Sequence, residues 1–287
     1  MYGKHMLKAS KYFLIRVKKK LRQQKIIFNF YVYGIRRIIR FLNVIQIGFQ
    51  EFFFGPFPQG SNKLLITRKE STYFGDGVAT IRFSKHLEDE HFVNSYNGAW
   101  EKVNSSWLKQ SKVDIRLRAH ICTWAAQQVK ELDGDFLEFG TYYGILAMTM
   151  CNYISFEELP KKFYLFDTWG PLPGHHPSYS EEIFETVKER FSKFRNVEMV
   201  RGIVPESLAQ VSIDKIAYMG IDMNGYLAER HVLEVLYPKV VPGGIIYLDD
   251  YGWGEHSMLR ETVDDFFRDK PEELLHFPSG NSIVIKK

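Results

Sequence analysis

From Val113 to the C-terminus, short apolar runs of strand length alternate with amphipathic stretches of helical period, which leaves few folds open. The amphipathic stretches are Val113–Leu132, Gly144–Tyr153, Ser180–Phe194, Leu227–Tyr237 and His256–Arg268. In the first, Ile115, Ala119, Cys122, Ala126 and Val129 share one face, and Gly134 stops the helix. The runs between them are Asp135–Phe139, Lys162–Phe166, Val197–Val200, Ile216–Ile221 and Ile245–Leu248, with a helical turn at Pro205–Val211. Pro238 and Pro242-Gly243-Gly244 read as breakers ahead of the fifth strand. Leu274–Phe277 and Ser282–Ile285 read as a closing strand pair around Ser279-Gly280-Asn281. This alternation predicts an α/β fold with a mainly parallel sheet covered by helices on both faces.

The N-terminal part is different in kind. The first 50 residues hold 12 Lys or Arg and no Asp or Glu, which leaves 26 basic against 34 acidic residues for the rest. Within Ile26–Phe54, the polar residues Asn29, Arg36, Arg40, Asn43 and Gln50 fall on one narrow helical face opposite a broad apolar one. A basic amphipathic helix of this kind fits peripheral contact with an anionic membrane through residues 1–54. The alternative is packing on the body or on a second subunit, so a homo-oligomer stays open. No apolar run is long enough to span a bilayer, and no secretory leader pattern is visible. Cys122 and Cys151 form neither a disulfide framework nor a metal spacing. They point to a reducing, cytoplasmic setting, with the arm at the inner membrane face. Nothing in the body supports nucleic-acid binding. The breaker cluster Gly55–Asn62 is the linker candidate. The expected organisation is a basic arm over 1–60, a helical, substrate-proximal cap over 61–112 with a helix over Phe83–Trp100, and a catalytic domain over 113–287.

Function is carried by what ends the strands. Glu138, Asp167, Asp222, Asp249 and Asp250 all fall at or near the carboxyl ends of expected strands, the edge where open α/β sheets bind ligands. The turn Glu138-Phe139-Gly140-Thr141-Tyr142-Tyr143-Gly144 lets backbone approach a ligand at Gly140. It lacks the dinucleotide pattern of three glycines, and Glu138 would repel a pyrophosphate. An acidic rim suits a cation such as the sulfonium S-adenosylmethionine, with Asp167 accepting ribose hydroxyls. Asp222, Asp249 and Asp250 would repel one another unless neutralised, and a hard divalent cation with oxygen ligands, Mg²⁺, does that. Each feature also has a plainer reading: an ordinary strand-to-helix turn, a capping Asp167, and an Asp249-Asp250 pair that caps a helix.

Five segments in order tighten the reading: Asp135–Gly140, Tyr164–Thr168, Gly202–Leu208, Ile221-Asp222-Met223-Asn224 and Pro242–Gly252. Together they resemble the macrocin O-methyltransferase family, in its subgroup with Ile-Asp-Met-Asn at the metal motif. The resemblance covers roughly residues 75–287 and is absent over the basic arm. It implies a Rossmann-like class I methyltransferase fold, a seven-stranded sheet with a terminal antiparallel strand, preceded here by a helical extension. It implies S-adenosylmethionine held by Glu138, Gly140, Thr141, Tyr142, Asp167, Thr168, Gly202 and Asp222, and Mg²⁺ held by Asp222, Asp249 and Asp250. The acceptor it implies is a hydroxyl of a sugar or glycoconjugate. Better-known members have a proposed aspartate base where this chain has Asn224, which cannot take a proton. His256 is then the first candidate base, with a usual pKa of about 6.5, and His175 and His176 follow. Tyr142, Tyr143 and Trp169 could stack on adenine or sugar, or serve as core.

The expected chemistry is a direct in-line methyl transfer between a held sulfonium and a held hydroxyl. Two other readings compete: a nucleotide- or NAD-binding oxidoreductase, and an inactive membrane-associated scaffold in which Asn224 marks lost activity. For the arm, removing residues 1–60 is expected to leave cofactor affinity unchanged and to abolish co-sedimentation with anionic liposomes. A full-length chain that ignores such liposomes would remove the membrane contact.

Overall fold

A computed structural model describes residues 71–82, 84–103, 114–170, 181–253 and 257–287, all within a unit spanning Thr67–Lys287. The basic arm, the Gly55–Asn62 cluster, His175, His176 and His256 lie outside the described residues.

Strands β1 (Tyr73–Gly75) and β2 (Val78–Thr80) form a separate antiparallel pair. They are joined by Asp76 and Gly77, both left-handed at φ 51° and 73°. Two such residues make the hairpin turn whose twist matches the strands, and Asp-Gly is a preferred dipeptide for it. Helix α1 (Glu90–Ala99) follows. It is shorter than the helix expected over Phe83–Trp100, because Asp89 caps it by accepting from the Phe92 N–H at 2.8 Å.

The main sheet contains β3 (Asp135–Phe139), β4 (Phe163–Asp167), β5 (Val197–Arg201), β6 (Ile216–Ile221), β7 (Val240–Leu248), β8 (Leu274–His276) and β9 (Ser282–Ile285). Its order is β5-β4-β3-β6-β7-β9-β8. The first five strands run parallel, β9 pairs antiparallel with β7, and β8 antiparallel with β9. The helices are α2 (Arg116–Val129), α3 (Ile145–Ile154), α4 (Glu181–Phe191), α5 (Tyr226–Leu236) and α6 (Ser257–Phe267).

Strand parity sorts the core into two layers. Phe136, Leu165, Tyr218 and Tyr247 pack with α1, α2, α3 and α4. Leu137, Phe166, Met219 and Leu248 pack with α5 and α6. Cys122 and Cys151 are free thiols buried in the first layer, as small apolar residues would be.

One expectation needs correction. Pro242-Gly243-Gly244 does not precede the fifth strand but lies inside β7. Opposite β6 the register jumps from Ile216↔Val240 to Tyr218↔Ile245, so the extra residues bulge out. A proline fits there because no ladder hydrogen is asked of it. Gly243 (φ 82°) turns its N–H to the Lys286 carbonyl at 2.7 Å, and the Lys286 N–H donates to the Gly244 carbonyl at 2.8 Å.

The far edge is pinned by a buried carboxylate. Glu272 accepts from the Tyr237 hydroxyl at 2.6 Å, the Lys286 ammonium at 3.0 Å and the Lys287 N–H at 3.1 Å. Burial opposes its charge, but these donors outweigh it and hold the carboxyl down to about 2. Its folded pKa lies below its unfolded value, so its stabilisation is present above about pH 4.5 and is lost as pH falls toward 2. Glu272→Gln is expected to cost about 1.5–3 kcal/mol at pH 7, the range for hydrogen bonds to a charged group. The gap from the parent protein should shrink on acidification toward pH 3, as followed by urea denaturation.

Candidate active site

The ladder runs one residue past several strands and sets the site. The Gly140 N–H donates to the Phe166 carbonyl at 2.9 Å, Gly202 N–H to Asp167 at 3.0 Å, Asp222 N–H to Phe139 at 2.8 Å and Asp249 N–H to Ile221 at 2.9 Å. Gly202, Asp167, Gly140, Asp222 and Asp249 therefore stand along the carboxyl edge in the order of their strands. Glu138, Asp167 and Asp249 share the parity of Phe136, Leu165 and Tyr247, so all three lean toward the α1–α4 layer.

Gly140 is fixed by space and by backbone. It sits at φ 85°, and a Cβ there would come 1.7 Å from the Asp222 carbonyl oxygen. Beside it, the Asp167 carboxylate accepts the Tyr142 N–H at 2.7 Å and the Trp169 N–H at 2.8 Å. Those bonds tie the β3 and β4 turns together. Trp169 is fully buried, packs on Phe184 and donates its indole N–H to the Tyr142 carbonyl at 2.8 Å. It is a core residue and offers no face to a ligand; Tyr143 is also buried. Thr168 is half-buried, and Arg201 reaches its carbonyl at 3.2 Å. The buried Ser207 Oγ lacks a hydrogen-bond partner among the described residues and packs against Gly202.

Asp222, Asp249 and Asp250 each bring a carboxylate oxygen within 4.8 Å of the others. Burial pushes Asp222 well above the ordinary carboxylate range, and the Asp249 and Asp250 charges add to the push. Asp249 is raised to about 6 by burial, with Arg118 pulling the other way. Glu138 is buried and raised to about 8, by burial first and then by the Asp167 and Asp249 charges. The five carboxylates named from sequence thus meet along one edge and feel one another.

Sequence reasoning missed three residues here. Arg118 of α2 bonds Asp249 and lies 3.7 Å from Asp250. Asp76, from the hairpin turn, pairs with Arg118. Glu229 of α5 is buried, accepts the Met223 N–H at 3.2 Å, and is raised to about 8 by burial. The Asp76-Gly77 dipeptide was a readable hairpin signal; neither Arg118 nor Glu229 sits in a spacing that marks it. Asn224 is exposed at φ 55°, a region Asn tolerates. Asn224, Tyr142, Trp169 and Asp250 are all left-handed non-glycine residues in the turns of this edge. Backbone held in so sparsely populated a region tends to cluster at functional sites.

A seven-stranded sheet of this order with a terminal antiparallel strand is the architecture of class I S-adenosylmethionine-dependent methyltransferases. The profile of the family described as macrocin-O-methyltransferase (TylF) matches residues 110–274, more than half of the chain. The chain belongs to that family and is an S-adenosylmethionine-dependent O-methyltransferase. Among solved structures, the O-methyltransferase NovP is similar, with a TM-score of 0.52 and 20% identity over 59% of this chain and 79% of NovP. The SAH-bound methyltransferase PaMTH1 of Podospora anserina gives 0.51 and 14% identity over 71% of this chain and 92% of that one. A comparison with curated protein sequences gives no significant match. The oxidoreductase and scaffold alternatives find no support in these comparisons.

Gly140→Ala tests the packing of the edge. A side chain there meets both a left-handed backbone and the Asp222 carbonyl, so the variant is expected to lose about 3 kcal/mol or more of unfolding free energy. A urea midpoint equal to the parent's would show that the β3 and β6 turns are not locked together.

Proposed function

We propose that this methyltransferase acts on a hydroxyl of a sugar or glycoconjugate, with Mg²⁺ held by Asp222, Asp249 and Asp250. The observation that carries the reading is the convergence of those three carboxylates within 4.8 Å, beside the turns that define the methyltransferase edge. The donor set fits a hard cation: all oxygen, part-buried, and mutually repelling without one. When bound, such an ion supplies a Lewis acid that lowers the pKa of an acceptor hydroxyl. The sugar class rests on the family to which the chain belongs.

For the cofactor, Gly140, Thr141 and Tyr142 form the turn that lies against the ligand, with Gly202 and Thr168 flanking it and Asp222 at the junction with the metal. The Ser207 hydroxyl, without a partner among the described residues, fits a polar ligand that would complete its bonding. Asp167 is the candidate for ribose hydroxyls, and a cationic ligand beside Gly140 would draw the buried Glu138 carboxyl toward its charged form. S-adenosylmethionine supplies the methyl group. Asn224 cannot accept the acceptor's proton, so His256, next after the β7 turn in sequence, remains the candidate base. The basic arm, through residues 1–54, would hold the enzyme at an anionic membrane.

The test is a methyl-transfer screen of sugars and glycoconjugates with and without EDTA. The expected result is transfer that EDTA abolishes and Mg²⁺ restores, with Asp222→Asn and Asp250→Asn at least about 100-fold down in kcat/KM, as loss of metal catalysis implies. Turnover indifferent to EDTA would remove the metal and leave the methyltransferase assignment standing. Methylation confined to non-sugar hydroxyls would remove the sugar.

A further inference from the structure

Arg118 is engaged at all three of its guanidinium nitrogens. Its Nε and Nη2 donate to the two oxygens of Asp76 at 2.6 and 2.7 Å. Its Nη1 donates to Asp249 Oδ2 and stands 3.7 Å from Asp250 Oδ1. The network is withdrawn from water, with side-chain exposures of 14% for Arg118 and 1% for both Asp76 and Asp249. A planar fork can bridge two carboxylates in this way; a lysine ammonium has the same charge but cannot hold both geometries.

Each end of the bridge is anchored. Asp76 sits in the left-handed turn of the β1–β2 hairpin, and the hairpin is fastened to the start of α2. The Tyr73 hydroxyl donates to the Asp114 carbonyl at 2.7 Å, and a Cβ on Gly75 would lie 2.6 Å from the Asp114 side chain. At the other end, Asp249 Oδ1 accepts from the Tyr247 hydroxyl at 2.5 Å, and that hydroxyl accepts from Asn281 at 2.8 Å. Arg118 and Tyr247 thus fix Asp249 from both oxygens, and a carboxylate so held keeps lone pairs for a cation.

We infer that Arg118 is a positioning residue that presents Asp249 to a divalent cation, and that Asp76 is its anchor, so the turn of the β1–β2 hairpin is a working part of the metal site. This rests on the proposed metal reading of the aspartate trio. The partners that orient a metal ligand commonly cost 10–100-fold in metal affinity when altered. An ion pair that merely steadies the fold would change stability and leave the metal alone.

The experiment titrates the full-length protein with Mg²⁺ by calorimetry, and in parallel with S-adenosylhomocysteine, for the parent, Arg118→Lys and Asp76→Asn. Both variants are expected to bind Mg²⁺ about 10–100-fold more weakly, with S-adenosylhomocysteine affinity unchanged within about twofold. Asp76→Asn leaves the trio and Arg118 in place, so it carries the test if Arg118→Lys fails to fold. Lower melting temperatures with Mg²⁺ affinity equal to the parent's would make the bridge an ordinary ion pair and overturn the inference. So would equal losses for both ligands, which signal general disruption. A parent protein that binds no Mg²⁺ would bring down the metal reading and this inference together, whereas a binding parent with unaffected variants defeats the inference alone.

Discussion

The carboxyl edge of this sheet gathers more negative charge than burial allows, and the surrounding structure answers that imbalance. Asp222, Asp249 and Asp250 converge within 4.8 Å, with Glu138 and Asp167 on the same side of the sheet. Buried like charges raise one another's pKa, and the cluster either takes up protons or draws in cations. Among the described residues the guanidinium of Arg118 answers this charge, but Asp76 takes up two of its three nitrogens. Arg118 therefore offsets only part of the charge, and the remainder is met by protons or by cations that bind there.

The geometry that creates the problem is strand parity. Residues two apart on a strand face the same way, so Glu138 follows Phe136, Asp167 follows Leu165 and Asp249 follows Tyr247 on one face. Each acidic residue comes at the end of a strand whose earlier residues are core. Moving any strand by one residue would send its carboxylate into the α5–α6 layer. The ladder bonds that continue past the strand ends prevent this, and the close approach of Gly140 to the Asp222 carbonyl locks the neighbouring turns.

That logic was legible in the sequence, because parity and strand-end position need only residue order. Asp222 after the strand Ile216–Ile221 and Asp249-Asp250 after Leu248 follow directly, as do Glu138 and Asp167 at their strand ends. Other elements were not legible, for physical reasons that differ. Pro242-Gly243-Gly244 has the chemistry of a chain break, and only the pairing of β7 with both β6 and β9 shows that a strand carries it as a bulge. Trp169 lies two residues after Asp167, yet the left-handed turn at φ 40° sends its ring into the core. Arg118 lies on a helix whose apolar spacing explains its neighbours, and its importance comes from Asp76, 42 residues earlier in the chain. Long-range ion pairing leaves no periodic trace.

The turn after Asp222 shows how the same constraint reaches a single substitution. Glu229 takes the Met223 N–H from below, and Asn224 supplies the left-handed residue that closes the turn. Asp and Asn are the side chains that tolerate this region best after glycine, so exchanging one for the other keeps the backbone. It changes only the charge. The exposed Asn224 side chain adds no charge to an edge where Asp222, Glu138 and Glu229 are already raised by burial. An amide there keeps the turn and removes a proton acceptor in one step.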